Sequence, residues 1–184
     1  MIVGSIIEDR KIESRVALTP ENVKKFLGLG LKVLIEKNYA EHIGINDDVY
    51  VSSGAEISED KKKILAHSNF IVQFNLPSEE NLNSLKENQN LIGVFNPYSN
   101  KEIISNLTKK KINVFSLELL PRITRAQSMD ILSSQANLAG YKAVVEAFAN
   151  FKKAVPMMMT AAGTIPAAKV LVVGAGVAGL QAIA

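Results

Sequence analysis

Near the carboxyl end of the sequence an apolar run, Lys169–Val173, leads into Gly174-Ala175-Gly176-Val177-Ala178-Gly179 and then an Ala/Leu stretch. Glycines at this spacing do separate jobs. The first permits a tight turn out of a strand, the second lets backbone approach a pyrophosphate, and the third lets helix pack on strand. The amides and dipole at the start of the following helix then face the phosphates. The chemistry this predicts is dinucleotide binding through Gly174, Ala175, Gly176, Val177 and Gly179. The plainer alternative is a tight strand–helix turn without a ligand. The acidic residue that reads the ribose belongs roughly 20 residues further on. That position lies beyond Ala184, so the choice between NAD and NADP is not encoded in this stretch.

A second candidate is Arg122-Ile123-Thr124-Arg125-Ala126-Gln127-Ser128-Met129-Asp130, between an apolar run ending near 118 and a long helical pattern. In open α/β sheets, ligands bind where the carboxyl ends of strands give way to helices. Two arginines, a glutamine and an aspartate there suit the lining of such a crevice. The same residues also suit an ordinary helix start, with Asp130 favouring the positive end of the dipole and Arg122 pairing with it at the surface. The residues alone leave both readings open.

A third candidate is Arg15, within Glu13-Ser14-Arg15-Val16-Ala17-Leu18-Thr19-Pro20. Its planar fork can clamp a carboxylate bidentately, and it equally fits a surface arginine. His42 and His67 stand apart from each other and from any acidic cluster with ligand spacing, and read as surface or packing residues. No nucleophile–histidine pair, metal-ligand spacing or obvious general base emerges. Most enzymes acting on organic substrates need a positioned acid or base. Direct hydride transfer between two nicotinamide rings needs only that the rings be held face to face. The missing acid–base groups therefore favour that unusual reaction.

Composition narrows the class. The 184 residues suffice for one core or little more, and 47% hydrophobic with 21% charged residues is ordinary for a soluble globular protein. The formal net charge is +3, and lysines alternate with acids, as in Glu59-Asp60 before Lys61–Lys63. That is a solvated helix face rather than a nucleic-acid surface. The absence of cysteine excludes disulfides, thiolate catalysis and zinc–thiolate sites. The first residues lack the basic stretch of a signal peptide. Val170–Ala184, the most apolar segment, is shorter than the roughly 20 residues a membrane span needs.

The elements that must position these candidates alternate along most of the chain. Apolar strand patterns at 2–7, 31–36, 69–74, 91–95 and 112–118 are separated by helical patterns near 20–30, 47–54, 60–67, 79–87 and 100–109. Thr19-Pro20 is an N-cap followed by a proline at the first helical position. Such alternation predicts a doubly wound parallel α/β sheet, flavodoxin-like, over 1–126. A long helix over about 126–150 follows, with Ala136, Ala139, Gly140, Ala143 and Ala147 forming a small-residue stripe that admits a close neighbour. An irregular stretch then leads to a final strand at 169. The predicted organisation is an N-terminal domain at 1–126, a connecting helix and linker at 127–168, and the truncated start of a Rossmann unit at 169–184.

Four blocks carry a family resemblance: RVALTPENVKKF, RITRAQSMDILSSQANLAGYKAVVEA, PMMMTAAGTIPAAKV and VLVVGAGVAGLQAIA. They resemble the NAD(H)-binding domain of proton-translocating nicotinamide nucleotide transhydrogenases, alpha subunit, over residues 2–184. Alanine dehydrogenases share the fold and are the runner-up. Those enzymes carry a catalytic lysine in a KVKEP-like strand end and a histidine in a YLHLA-like one. Here the two places hold Gln73-Phe74-Asn75-Leu76-Pro77 and Val94-Phe95-Asn96-Pro97-Tyr98. Arg15 thus stands without those partners, and amino-acid chemistry is disfavoured.

The resemblance implies roles for the second candidate. Arg122, Asp130 and Ser133 would lie near the nicotinamide carboxamide, with Ile123 and Thr124 in the same cofactor-binding loop, and Gln127 would point toward an incoming NADP(H). Gln127, Arg122 and Asp130 are the implied catalytic set. It further implies NAD(H) on this chain, NADP(H) on a partner domain, a homodimer, and a membrane proton-channel partner. The location would be the cytoplasmic side of a bacterial inner membrane, or the mitochondrial matrix. The family's domain is about twice this length, so the chain by itself is expected to bind NAD(H) very weakly and to lack catalysis. A non-catalytic interaction module with a vestigial glycine turn is the remaining alternative.

Overall fold

In a computed structural model describing Met1–Ala184, the chain divides into two compact units, Met1–Leu120 and Pro121–Ala184. The first is a six-stranded, wholly parallel sheet: β1 (Ile2–Ser5), β2 (Lys32–Glu36), β3 (Glu56–Ser58), β4 (Phe70–Val72), β5 (Asn90–Gly93) and β6 (Asn113–Ser116). Their spatial order is β3-β2-β1-β4-β5-β6. Without the short edge strand β3 this is the flavodoxin order, and β3 extends the sheet by one strand. The winding reverses between β1 and β4, so their carboxyl ends flank the switch point.

Five helices connect the strands: α1 (Pro20–Gly28), α2 (Asp47–Ser52), α3 (Lys61–His67), α4 (Glu79–Asn83) and α5 (Lys101–Lys109). Their starts follow local chemistry. The Thr19 side chain accepts from the Asn22 amide with Pro20 at the first position, Asp60 accepts from Lys62 and Lys63, and Ser78 accepts from Asn81. Each cap satisfies helix amides that have no partner within the helix. β-branched and leucine side chains alternate across the strands and fill two cores. Val3, Val33, Ile35, Val23, Tyr39 and Tyr50 pack on one face, and Leu34, Ile64, Leu65, Ile71, Leu91 and Leu107 on the other. Both faces are covered, as a parallel sheet requires. Gly4 is fixed by this packing, because a Cβ there would lie 2.0 Å from Ser68 Oγ.

The second unit holds α6 (Ile131–Asn150), a hairpin of β7 (Met158–Thr160) and β8 (Gly163–Ile165), and α7 (Val177–Ile183). The small-residue stripe on α6 serves α7: a Cβ on buried Gly140 would lie 2.2 Å from the carbonyl oxygen of Ala178. The long helix begins at Ile131 rather than near 126. Thr124–Met129 instead form 3-10 turns, because the Asp130 side chain caps the helix by accepting from the Ser133 amide. The stretch read as irregular contains the antiparallel β7–β8 pair, closed by Gly163 at φ +127°. Residues 169–173, expected as a strand, form none, since no other segment pairs with them. No helix is long and apolar enough to cross a membrane, and no group of three or more His, Cys, Asp or Glu residues is placed to hold a metal ion.

Candidate functional site

The Arg122–Asp130 loop and the glycine turn fall in the same compact unit, Pro121–Ala184. Within the loop, Asp130 is the organising residue. Its Oδ1 accepts from the Ser133 amide at 3.0 Å and its Oδ2 from Ser133 Oγ at 2.6 Å. The Ser133 hydroxyl and amide, aided by the Arg122 charge, hold the Asp130 carboxyl below its ordinary value. These are the features of the helix-start reading, and they also pin the end of the loop. The 3-10 turns are tied by Ala126 N to Ile123 O at 2.9 Å and Asp130 N to Gln127 O at 3.2 Å. Ala126 is buried beneath them, whereas Arg122, Ile123, Thr124 and Gln127 are exposed. The loop's backbone is thus tied by these turns, with the side chains of Arg122, Thr124 and Gln127 outward.

The glycine turn divides its labour. Gly174 has φ +105°, a conformation that side chains other than hydrogen strain to adopt. Gly179 faces backbone: a Cβ there would lie 2.0 Å from Gly174 O. Gly176, at φ −78° and ψ −172°, precedes α7 with nothing within 4 Å of where its Cβ would stand. Packing therefore explains Gly179 and backbone conformation explains Gly174, but neither explains Gly176. The space beside Gly176 is open.

The first unit's switch point is closed by its own side chains. Gln73 is 3% exposed, and its Oε1 accepts from Ser5 Oγ at 2.8 Å and the Ile6 amide at 2.9 Å. Its Nε2 donates to Glu8 Oε1 at 3.2 Å. Glu8, absent from the candidates that the sequence nominates, accepts from the Phe74 amide at 2.5 Å and the Asn75 amide at 3.4 Å. Burial raises its carboxyl above the ordinary value against those bonds. The only hint in the sequence is an acid a few residues past β1, at the point where the sheet reverses. The Glu36 carboxylate, at the end of β2, takes the Ile7 amide at 2.7 Å. Tyr39, pushed up to about 12 by burial, places its hydroxyl 2.7 Å from Ser5 Oγ and accepts from the Ala17 amide at 3.1 Å.

Arg15 is engaged here too. Its Nε donates to Glu13 Oε1 at 2.8 Å and its Nη2 to Glu13 Oε2 at 2.6 Å, a bidentate pair. Its guanidinium also stacks 4.3 Å from the Phe74 ring centroid. The hydrogen bond and charge of Arg15 hold Glu13 below its ordinary value. The clamp that a substrate carboxylate would need is filled from within. Asn96 adopts φ +46°, with its amide donating to Glu118 Oε1 at 2.5 Å, and offers no acid or base. The rings of His42 and His67 meet only the backbone carbonyls of Ser14 and Lys63, at 2.7 and 2.8 Å.

Comparison with known proteins supplies the context. Residues 5–139 match the alanine dehydrogenase/PNT N-terminal domain and residues 143–184 the alanine dehydrogenase/PNT C-terminal domain. An NAD(P) transhydrogenase alpha-subunit polypeptide of Rhodospirillum rubrum is 47% identical over 182 residues, covering 96% of this chain and 47% of the relative. A solved transhydrogenase from Sinorhizobium meliloti is 44% identical with a TM-score of 0.93, covering 100% of this chain and 55% of its own. An L-alanine dehydrogenase structure shares the fold, with a TM-score of 0.81 at 21% identity. The chain thus spans about half the length of these proteins.

Proposed function

Because the chain belongs to the alanine dehydrogenase/PNT family, we propose that it is part of the NAD(H)-binding component of a transhydrogenase. That component passes a hydride from NADH to NADP+ held on a partner domain, coupled to proton translocation by further membrane domains. The observation that carries this reading is the coincidence, in one compact unit, of the rigid loop over Arg122–Asp130 and the glycine turn. In it, Gly174, Ala175, Gly176, Val177 and Gly179 receive the pyrophosphate. Arg122, Ile123, Thr124, Asp130 and Ser133 orient the nicotinamide, and Gln127 faces the incoming NADP(H). The chain's own chemistry is positional. Hydride transfer between rings asks for alignment and exclusion of water, and the loop's locked backbone supplies the first.

The alanine dehydrogenase reading is disfavoured by Arg15, whose guanidinium is bound to Glu13, and by the neutral, hydrogen-bonded Gln73 and Asn96 at the two strand ends. The homodimer in this reading is supported by the β7–β8 hairpin, where Met158 and Met159 are 45% and 83% exposed. A peripheral position on the cytoplasmic face of the membrane follows from partnership with a membrane component. As an isolated piece the chain holds half of a cofactor site, and weak NADH binding without turnover is expected. The test is an NADH titration of this chain beside one extended to the length of its relatives, followed by hydride exchange with an NADP-binding component. Equal affinities for the two chains would sink the half-site reading. Rapid NAD-dependent deamination of alanine by the extended chain would favour the runner-up.

A further inference from the structure

The two halves of the candidate site each sit at the start of a helix. Asp130, which ends the Arg122–Asp130 loop, is the N-cap of α6, and Gly176 of the glycine turn is the N-cap of α7. The separation between loop and turn is therefore set by how α7 lies on α6. Two contacts fix that relation, three residues apart on each helix. Buried Gly140 meets the backbone of Ala178, where a Cβ would stand 2.2 Å from the carbonyl oxygen. Asn137 Nδ2 donates to Gln181 Oε1 at 2.9 Å. The glycine contact lets the helices approach closely, but glycine carries no side chain to stop one helix sliding along the other. The amide–amide hydrogen bond is directional and resists that slide.

Local chemistry does not account for Asn137. Asparagine is a poor helix former, and this one stands exposed within the 20-residue α6. It lies two turns, about 10 Å, from the Asp130 cap. Its side chain bonds forward to a residue 44 positions along the chain instead of to its own helix. We infer that Asn137 and Gln181 are positioning residues. Their hydrogen bond sets the slide of α7 on α6, and so holds the Arg122–Asp130 loop and the glycine turn at the one separation that a single dinucleotide spans. The inference rests on the cofactor reading of this unit. It adds a pair of residues that act on the cofactor only through the helices that carry them.

The sequence contains no cysteine, so spin labels at Ser134→Cys and Leu180→Cys, exposed positions on α6 and α7, report the slide directly. In the 184-residue chain, Asn137→Ala should broaden the distance distribution between the labels. The exchanged pair Asn137→Gln with Gln181→Asn keeps the combined side-chain length and should narrow it again. A second measurement uses the chain extended to the length of its relatives and two ligands. NADH needs both loop and turn, whereas ADP-ribose lacks the nicotinamide and needs only the turn. Asn137→Ala should weaken NADH binding about three- to tenfold, the range that one hydrogen bond allows, and leave ADP-ribose binding unchanged. The exchanged pair should restore NADH affinity. Equal weakening of both ligands overturns the inference, because it marks a general loss of structure, and so does an unchanged NADH affinity. A distribution that stays narrow in Asn137→Ala, while the parent binds NADH, overturns the inference and leaves the cofactor reading standing. A broadened distribution, with neither ligand bound by the extended parent, upholds the helix clasp and sinks the cofactor reading.

Discussion

Ser133 grips Asp130 twice, through its hydroxyl at 2.6 Å and its amide at 3.0 Å, so the residue that ends the candidate loop also begins α6. The pair ties a functional candidate to a structural duty. Because the folded-state pKa of Asp130 is lowered, its contribution is present above the unfolded value and is lost as pH falls through the folded one. Ser133→Ala removes the first cause of that shift. The expected outcome is an Asp130 titration moved toward the ordinary aspartate value, with faster exchange at the first amides of α6. A carboxyl-carbon NMR titration of both proteins checks it. An unmoved titration would show that the hydroxyl contributes nothing.

Gln127 separates the two readings of the loop. It is exposed, and its side chain makes no hydrogen bond, so Gln127→Ala should leave unfolding within about 0.5 kcal/mol of the parent, as for surface substitutions. If Gln127 faces NADP(H), hydride exchange by the extended chain with its NADP-binding component should fall by about tenfold or more, equivalent to roughly 1.4 kcal/mol of transition-state stabilisation. Unchanged exchange would leave the loop as a helix start alone.

The alternation of strands and helices, the Thr19-Pro20 start of α1 and the close approach permitted by Gly140 are legible in the sequence, because each depends on local chemistry or on periodicity. Three features are not. β3 is three residues long and carries Glu56 and Ser58 about a single isoleucine, too short for a period to register. The β7–β8 hairpin turns on Thr160 and Gly163 rather than on a two-residue glycine turn, with Thr160 Oγ1 donating to Gly163 O at 2.8 Å. The run at 169–173 has strand composition, but a strand is made by its neighbour, and composition cannot supply one. At the two strand ends the sequence shows Gln73 and Asn96 in place of a lysine and a histidine. It does not show Glu8 bound to Gln73 and the Phe74 amide, or Glu13 paired with Arg15, since the first partners lie far along the chain and the second depends on a turn.

Glu8 and Glu13 have opposite pH signatures. Burial raises Glu8 above 4.5, so the folded state holds that proton more tightly than the unfolded chain. Its contribution to stability is therefore full below the unfolded value and is lost as pH rises through the raised one. Glu13 is lowered by Arg15, so its contribution is present at neutral pH and is lost on acidification. Glu8→Gln should make stability fall more steeply between about pH 6 and pH 4, because only the acid-sensitive carboxylates remain. Glu13→Gln should make it fall less below the ordinary glutamate value, where the lowered Glu13 carboxylate takes up its proton. Urea midpoints carried from neutral pH to below that value measure both, and parallel curves for the two variants would refute the assignment.

The core makes a simpler demand. Leu91 lies on β5 at 0% exposure among Ile71, Leu65 and Leu107. Leu91→Ala should cost about 2–5 kcal/mol, the transfer loss plus the cavity left behind. Equilibrium unfolding in urea would show it as a lower midpoint with an unchanged slope. A cost below about 1 kcal/mol would mean that the sheet collapses onto the cavity.

The glycine turn gives the sharpest separation of fold from function. Gly179→Ala drives a methyl to within 2.0 Å of Gly174 O, and Gly140→Ala drives one to within 2.2 Å of Ala178 O. Both contacts are with backbone, which cannot swing aside, so each variant should lose about 1–3 kcal/mol in the second unit. Gly176→Ala meets nothing within 4 Å, and its φ of −78° suits alanine. Replacing that glycine should leave stability unchanged or slightly improved, since alanine restricts the unfolded chain more than glycine does. If Gly176 receives the pyrophosphate, the extended Gly176→Ala protein should lose NADH affinity, because the methyl takes up the open space the phosphates would approach. Calorimetric titration with NADH beside thermal unfolding of the three variants reads this directly. Equal NADH affinity for Gly176→Ala and the parent would leave the glycine turn as a device of packing alone.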